Sequence, residues 1–155
     1  MSRIKPAEVR FYIDADLLGL ARVLAGLRSD VTYPGDPGTV IHKRQRPPCP
    51  IASPAVKDSE WIPQVAGHGW LIITRDRHIQ EHRLEIAAVR EHRAKMVALT
   101  AADAGSVFGQ LEVVMSRWRD IERCLAEPPP FIYAATRTTM RQISLTCSST
   151  GCTPG

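Results

Sequence analysis

Val9-Arg10-Phe11-Tyr12-Ile13 running into Asp14-Ala15-Asp16, and Trp70-Leu71-Ile72-Ile73-Thr74 running into Arg75-Asp76, decide how the chain folds. Each is a short apolar run, rich in aromatic and β-branched side chains, that ends on an acid. Such a run reads as a buried strand with a carboxylate at its carboxyl end. If the two runs lie in one sheet as parallel strands, Asp14 and Asp76 share its carboxyl edge. That edge is where open α/β sheets bind ligands, in the crevice where strand order reverses. Neighbouring strands are about 4.8 Å apart, so acids leaving adjacent strand ends can converge on one divalent cation.

Outward from these runs the pattern alternates. Leu17, Leu20, Ala21, Leu24 and Leu27 recur at helical spacing, and Val31-Thr32-Tyr33 is a second strand stopped by Pro34-Gly35-Asp36-Pro37-Gly38. From Thr39 to Val56 the periodicity is lost among His42, Lys43, Arg44, Arg46 and four prolines, which reads as a long charged surface loop of the lid or binding type. A short helix is expected from near Glu60 to Gly67, because Pro63 is tolerated in a first turn, with Asp58 at or just before its start. After the strand at 70–74 come a helix over 79–93, a strand over 96–100 and a long amphipathic helix from Asp103 to Leu125. Its stripe of Val107, Phe108, Leu111, Val114, Met115, Trp118, Ile121 and Leu125 serves either the core or a dimer interface. Phe131 to Ala134 and Met140 to Leu145 read as two antiparallel edge strands. The expectation is an α/β fold with a mainly parallel sheet covered by helices on both faces. One domain spans 1–145, and the small polar tail over 146–155 is expected to be disordered.

Composition narrows the field only a little. Twenty Lys and Arg against sixteen Asp and Glu give a net charge of +4, compatible with a nucleic-acid partner but no argument for one. Nothing approaches the roughly 18 apolar residues of a membrane span, so a cytoplasmic protein without a membrane partner is expected. Cys49, Cys124, Cys147 and Cys152 lack metal-pair spacing and read as reduced thiols.

Taken singly, the acids have plainer readings. Asp16 precedes a helical repeat and fits an ordinary N-cap, while Asp58 and Glu60 suit the first turn of their helix. Asp14 and Asp76 are harder to explain this way, because a carboxylate at the end of a buried strand is costly to desolvate without a partner, be it an arginine such as Arg75 or Arg77, or a cation. Thr74 offers a hydroxyl two residues before Asp76. The ligand set is all oxygen, which suits Mg²⁺ or Mn²⁺ rather than Zn²⁺. Lys43, Arg44, Arg46, Arg75 and Arg77 could track a phosphate backbone or form solvated charge runs.

Ile13-Asp14-Ala15-Asp16-Leu17 resembles the first acidic motif of PIN domains, and Ile73-Thr74-Arg75-Asp76 resembles their late Thr/Ser-x-Asp motif. Asp58-Ser59-Glu60-Trp61-Ile62, followed by Gly69-Trp70-Leu71-Ile72-Ile73-Thr74, is similar to the VapC-type toxin branch. The resemblance runs from about Arg10 to Leu145. It implies a three-layer α/β/α PIN-like domain and Mg²⁺- or Mn²⁺-dependent hydrolysis of RNA, often as a toxin held inactive by a cognate antitoxin protein. It also implies that Asp14, Asp58 and Asp76 are the catalytic metal ligands, supported by Asp16, Glu60 and Thr74. The commoner PIN pattern adds a helical glutamate well after the first strand, and the interval here offers only Asp30, Asp36, Asp58 and Glu60. Asp-x-Asp after a strand also resembles haloacid dehalogenase-type phosphatases, whose later Gly-Asp-x-x-x-Asp motif is lacking. A PIN-like module that binds RNA or protein without cutting is the third reading.

Overall fold

The alternation closes into one main sheet. A computed structural model describes residues 3–102 and 104–145 of the chain, so the tail expected over 146–155 lies outside the described residues. The elements in order are β1 (Lys5–Pro6), β2 (Phe11–Ile13), α1 (Leu18–Leu27), β3 (Val31–Thr32), β4 (Thr39–Ile41), β5 (Arg44–Arg46) and α2 (Asp58–Gly67). They continue with β6 (Leu71–Arg75), α3 (Arg83–His92), β7 (Lys95–Leu99), α4 (Val107–Cys124), β8 (Phe131–Ala135) and β9 (Met140–Ile143).

The six-stranded sheet has the order β3-β2-β6-β7-β8-β9. All neighbours are parallel except β8 and β9. The chain moves from β2 outward to β3 and then returns to place β6 on the other flank of β2, so strand order reverses between β2 and β6. Ile13 is level with Ile73, and the register brings Asp14 alongside the end of β6, where its N–H donates to the Ile73 carbonyl at 2.9 Å.

Alternate residues of each strand feed two cores, as the period of two in a strand requires. Phe11, Ile13, Leu71, Ile73, Val97 and Leu99 pack beneath α1 and α4. Tyr12, Ile72, Met96, Ala98 and Ile132 pack beneath α2, α3 and the segment carrying Cys49 and Ile51. This is a three-layer α/β/α arrangement. Cys49 and Cys124 are free and buried.

Four expectations are corrected. Residues 39–46 are not loop: β4 and β5 form a hairpin whose two-residue turn, His42 and Lys43, has φ of 50° and 63°. Positive φ at both turn positions matches the twist of the strands, and here it is met without the Gly or Asn that usually signals it. β5 also pairs with β1, giving a small three-stranded sheet. β8 is not an edge strand: α4 carries the chain back across the sheet, so β8 lies parallel to β7 and only β9 turns back antiparallel.

The helices shift as well. α2 begins at Asp58, so Pro63 sits beyond the first turn, where its missing N–H costs one intrahelical bond. α4 starts at Val107, capped by the Ser106 hydroxyl, which accepts from Gly109 N–H at 3.0 Å. Its buried face carries Gly109, Gln110, Val113, Val114, Ile121 and Cys124, which leaves Phe108 and Met115 of the expected stripe exposed. Gln110 is on the buried face, where its amide donates to the Ala104 carbonyl at 3.2 Å.

Candidate metal centre

Asp14 lies where β2 ends and a single 3-10 turn, Ala15–Leu17, begins. Its Oδ1 accepts from Ala15 N–H at 2.6 Å, and its Oδ2 accepts from the Thr74 hydroxyl at 2.9 Å. Asp14, not Asp16, is therefore the capping acid. Asp16 sits inside the turn, with Oδ2 at 3.4 Å from both the Thr74 hydroxyl and the Arg75 N–H. Buried Thr74 thus ties the end of β6 to two acids that follow β2.

Asp58 approaches from α2. Its Oδ1 accepts from the indole N–H of Trp61 at 2.9 Å, and that indole stacks on Tyr12 of β2 with ring centroids 4.9 Å apart. Because Tyr12 and Asp14 leave β2 two residues apart, this contact fixes Asp58 relative to the strand end. Glu60 is exposed on the same first turn. Asp76 follows β6, with its N–H bonded to the Leu99 carbonyl at 3.2 Å and its Oδ1 accepting from His78 N–H at 2.9 Å. Asp76 Oδ2 meets the ring of His82.

Two groups at this edge, His82 and Glu85, have no counterpart among the sequence-derived candidates. A short turn, Ile79–Glu81, leads into α3 with Ile79 buried, and this swings His82 and Glu85 over the edge. Asp76, His82 and Glu85 each offer a ligand atom within 4.8 Å of the others. Glu85 lies three residues after His82 and nine after Asp76, a spacing that becomes informative only once the segment between strand and helix is known to fold back.

Electrostatics marks the same group. Burial pushes the Glu85 carboxyl up to about 7, helped by the charges of Asp76, Asp58 and Asp14 and opposed by His82. Burial likewise raises Asp16 to about 7, with the Asp14 charge adding to it. Asp14 is raised by burial and by Asp58, although its hydrogen bonds from Thr74 and Ala15 pull it back in part. The charges of Asp14, Asp58 and Asp76 therefore disfavour the ionised form of Glu85, as that of Asp58 does for Asp14.

The basic residues divide. Arg46 is only 2% exposed and is paired with Asp36, its Nε at 2.7 Å from the carboxylate, with further bonds to the Ala25 and Arg28 carbonyls. It has no surface to offer a phosphate, which corrects its assignment to RNA binding. Arg44 lines a cleft with Arg10, Arg28, Asp30 and His42 at the amino end of the sheet, and Lys43 occupies the turn of the same hairpin. Both stand across the molecule from the acids, because pairing with β1 draws the hairpin to that end. Arg75 and Arg77 are at the carboxyl edge; Arg75 Nε donates to the Ala104 carbonyl at 2.9 Å, and Arg77 is exposed.

The family model described as a PIN-like domain matches residues 9–101, the span from β2 through β7 that carries every acid of the centre. The chain belongs to the PIN-like domain family. No curated protein and no solved structure gives a significant match to it. PIN-like domains are generally nucleases and usually bind divalent metal ions, and the mainly parallel, helix-flanked sheet is the architecture expected of one. The residues of this PIN-like domain fit such an ion: carboxylate oxygens dominate the set, and Glu85 and Asp14, raised in part by neighbouring acids, are acids that a cation would stabilise as anions. Among the described residues, no helix is long and apolar enough to cross a membrane.

Proposed function

We propose that this PIN-like domain is a divalent-metal-dependent endoribonuclease, the toxin of a type II toxin–antitoxin pair acting in the cytoplasm. The observation that carries this reading is the cluster of Asp76, His82 and Glu85 at the edge where strand order reverses, with Asp14 and Asp58 near enough for their charges to raise Glu85. Asp14, Asp58 and Asp76 hold Mg²⁺ or Mn²⁺, and Glu85 takes the place of the helical glutamate that the interval before Asp58 lacks. A divalent ion bound there lowers the pKa of water and neutralises charge on phosphoryl oxygens.

The chain's own groups position this chemistry. Thr74 orients Asp14 through its hydroxyl, and Trp61 holds Asp58 through its indole N–H. Asp16 and Glu60 support the centre from its rim. Arg77 and Arg75 supply positive charge beside the acids, where a phosphodiester must lie. RNA as substrate, an antitoxin as cognate partner and a homodimer through exposed Phe108 and Met115 belong to this reading; they rest on the resemblance and on those apolar side chains.

The test is cleavage of single-stranded RNA with Mg²⁺ or Mn²⁺ by wild type, Asp14→Asn and Asp76→Asn. Loss of a metal-held acid is expected to lower the rate at least about 100-fold, since even groups that only support ligands are worth about 10- to 100-fold. Equal cleavage by all three proteins would refute the assigned site. Growth arrest on expression, relieved by Asp14→Asn, is the expected sign of the toxin role.

A further inference from the structure

We propose that the cation at this centre is held through an imidazole, that of His82, together with the carboxylates of Asp76 and Glu85, so that the protein selects a first-row transition ion over Mg²⁺. The inference rests on the reading of this edge as a metal centre and goes beyond the all-oxygen ligand set derived from the sequence.

Three observations carry it. First, the ligand atoms of Asp76, His82 and Glu85 lie within 4.8 Å of one another. Two donors on opposite sides of an ion at 2.0–2.2 Å are about 4.3 Å apart, so one ion can reach all three after small side-chain adjustments. Second, the backbone places His82 where it can ligate. It immediately precedes α3, its carbonyl accepts the Ile86 N–H at 3.0 Å, and Ile79 anchors the preceding turn in the core. Three residues apart at a helix start, His82 and Glu85 face the same way. Third, the Asp76 carboxylate is already oriented: His78 N–H occupies Oδ1, leaving Oδ2 turned to the imidazole.

Ligand chemistry then sets the metal. Mg²⁺ prefers oxygen donors and retains several waters, whereas imidazole favours later first-row ions. A mixed imidazole and carboxylate set therefore raises affinity for Mn²⁺ and Co²⁺ relative to Mg²⁺. The plainer role for His82 is a counter-charge on Asp76, with no bond to the ion, and the two roles differ in what the metal itself reports.

The experiment loads tag-free protein with Mn²⁺ alone and records pulsed electron paramagnetic resonance for coupling to a coordinated ¹⁴N. Wild type and His78→Gln are expected to show it, and His82→Gln, which keeps a hydrogen-bonding group beside Asp76, is expected to lose it. Competition of Mg²⁺ against bound Mn²⁺ gives the second readout: the Mn²⁺ to Mg²⁺ affinity ratio is expected to fall about tenfold or more in His82→Gln. Bound Mn²⁺ without nitrogen coupling, or coupling that persists in His82→Gln, overturns imidazole ligation while leaving the carboxylate centre standing. Mn²⁺ binding indifferent to Asp76→Asn, the one ligand common to both sets, removes the centre itself, and the proposed function with it.

Discussion

The two ends of the main sheet treat their acids in opposite ways. At the amino end Asp30 accepts from Arg10 at 2.7 Å and from Arg28 at 2.9 Å, and beside the hairpin Asp36 is held by Arg46. Burial alone would raise Asp30, but hydrogen bonds and charge from Arg28 and Arg10 outweigh it and hold this carboxyl below its ordinary value. At the carboxyl end the acids meet one another, and Asp14, Asp16 and Glu85 are all raised. The same residue type in the same sheet is thus stabilising where a guanidinium answers it and frustrated where another carboxylate does. Frustration at one end only is the pattern of a site that trades fold stability for ligand affinity.

The contrast breaks most readily at Asp36. Asp36→Ala leaves the Arg46 guanidinium buried without its carboxylate, and a cost of about 3–5 kcal/mol is expected in urea denaturation. An effect near zero would mean that the pair does not hold the hairpin to the main sheet. Asp30→Ala is expected to cost less, about 1–2 kcal/mol, because both its arginines stay about a third exposed and are screened.

At the carboxyl end the sign reverses and the size shrinks. Asp16 and Glu85 stand near 7 in the fold against ordinary values of 3.8 and 4.5, so the stability they lend is full below about pH 4 and is lost as pH rises through about 7. Melting of the cation-free protein is therefore expected to move upward as pH falls from about 7.5 to about 5. Asp30 does not enter that window, since its contribution holds above 3.8 and is lost only as pH falls through its lowered value. Asp16→Asn with Glu85→Gln is expected to flatten the slope and to raise stability at pH 7, where the two acids oppose folding. A slope unchanged in the double variant would show that these acids do not govern it.

What could be read in the sequence was what is local. Strand-end Asp14 and Asp76 were visible because a run of apolar residues and the acid that ends it are contiguous. The parallel sheet followed from the alternation of strands and helices. Glu85 was hidden because it is one charge among Arg83, Arg90, Glu91 and His92 on a polar helix, and only the turn at Ile79–Glu81 brings it over the strand ends. Arg46 is hidden for the same reason in reverse: it lies in a basic run, yet its partner Asp36 is ten residues earlier, across the β4–β5 hairpin that Gly38 leads into. At Gly38 φ is +80°, and an added Cβ would come within 2.4 Å of the Arg46 carbonyl oxygen. Burial of a charge depends on such distant closures, and periodicity carries no record of them.

The Trp61 indole has a consequence for observing the molecule. One side of it bonds to Asp58 and its face lies on Tyr12, so its excited-state dipole samples the field of the acid group directly. Trp118 packs on Phe11 in the opposite layer, and Trp70 stacks on exposed His68. Of the three fluorophores, one is thus wired to the centre and two stand apart as an internal reference. A cation bound beside Asp58 is therefore expected to shift the emission of Trp61 and to leave that of Trp118 and Trp70 unchanged.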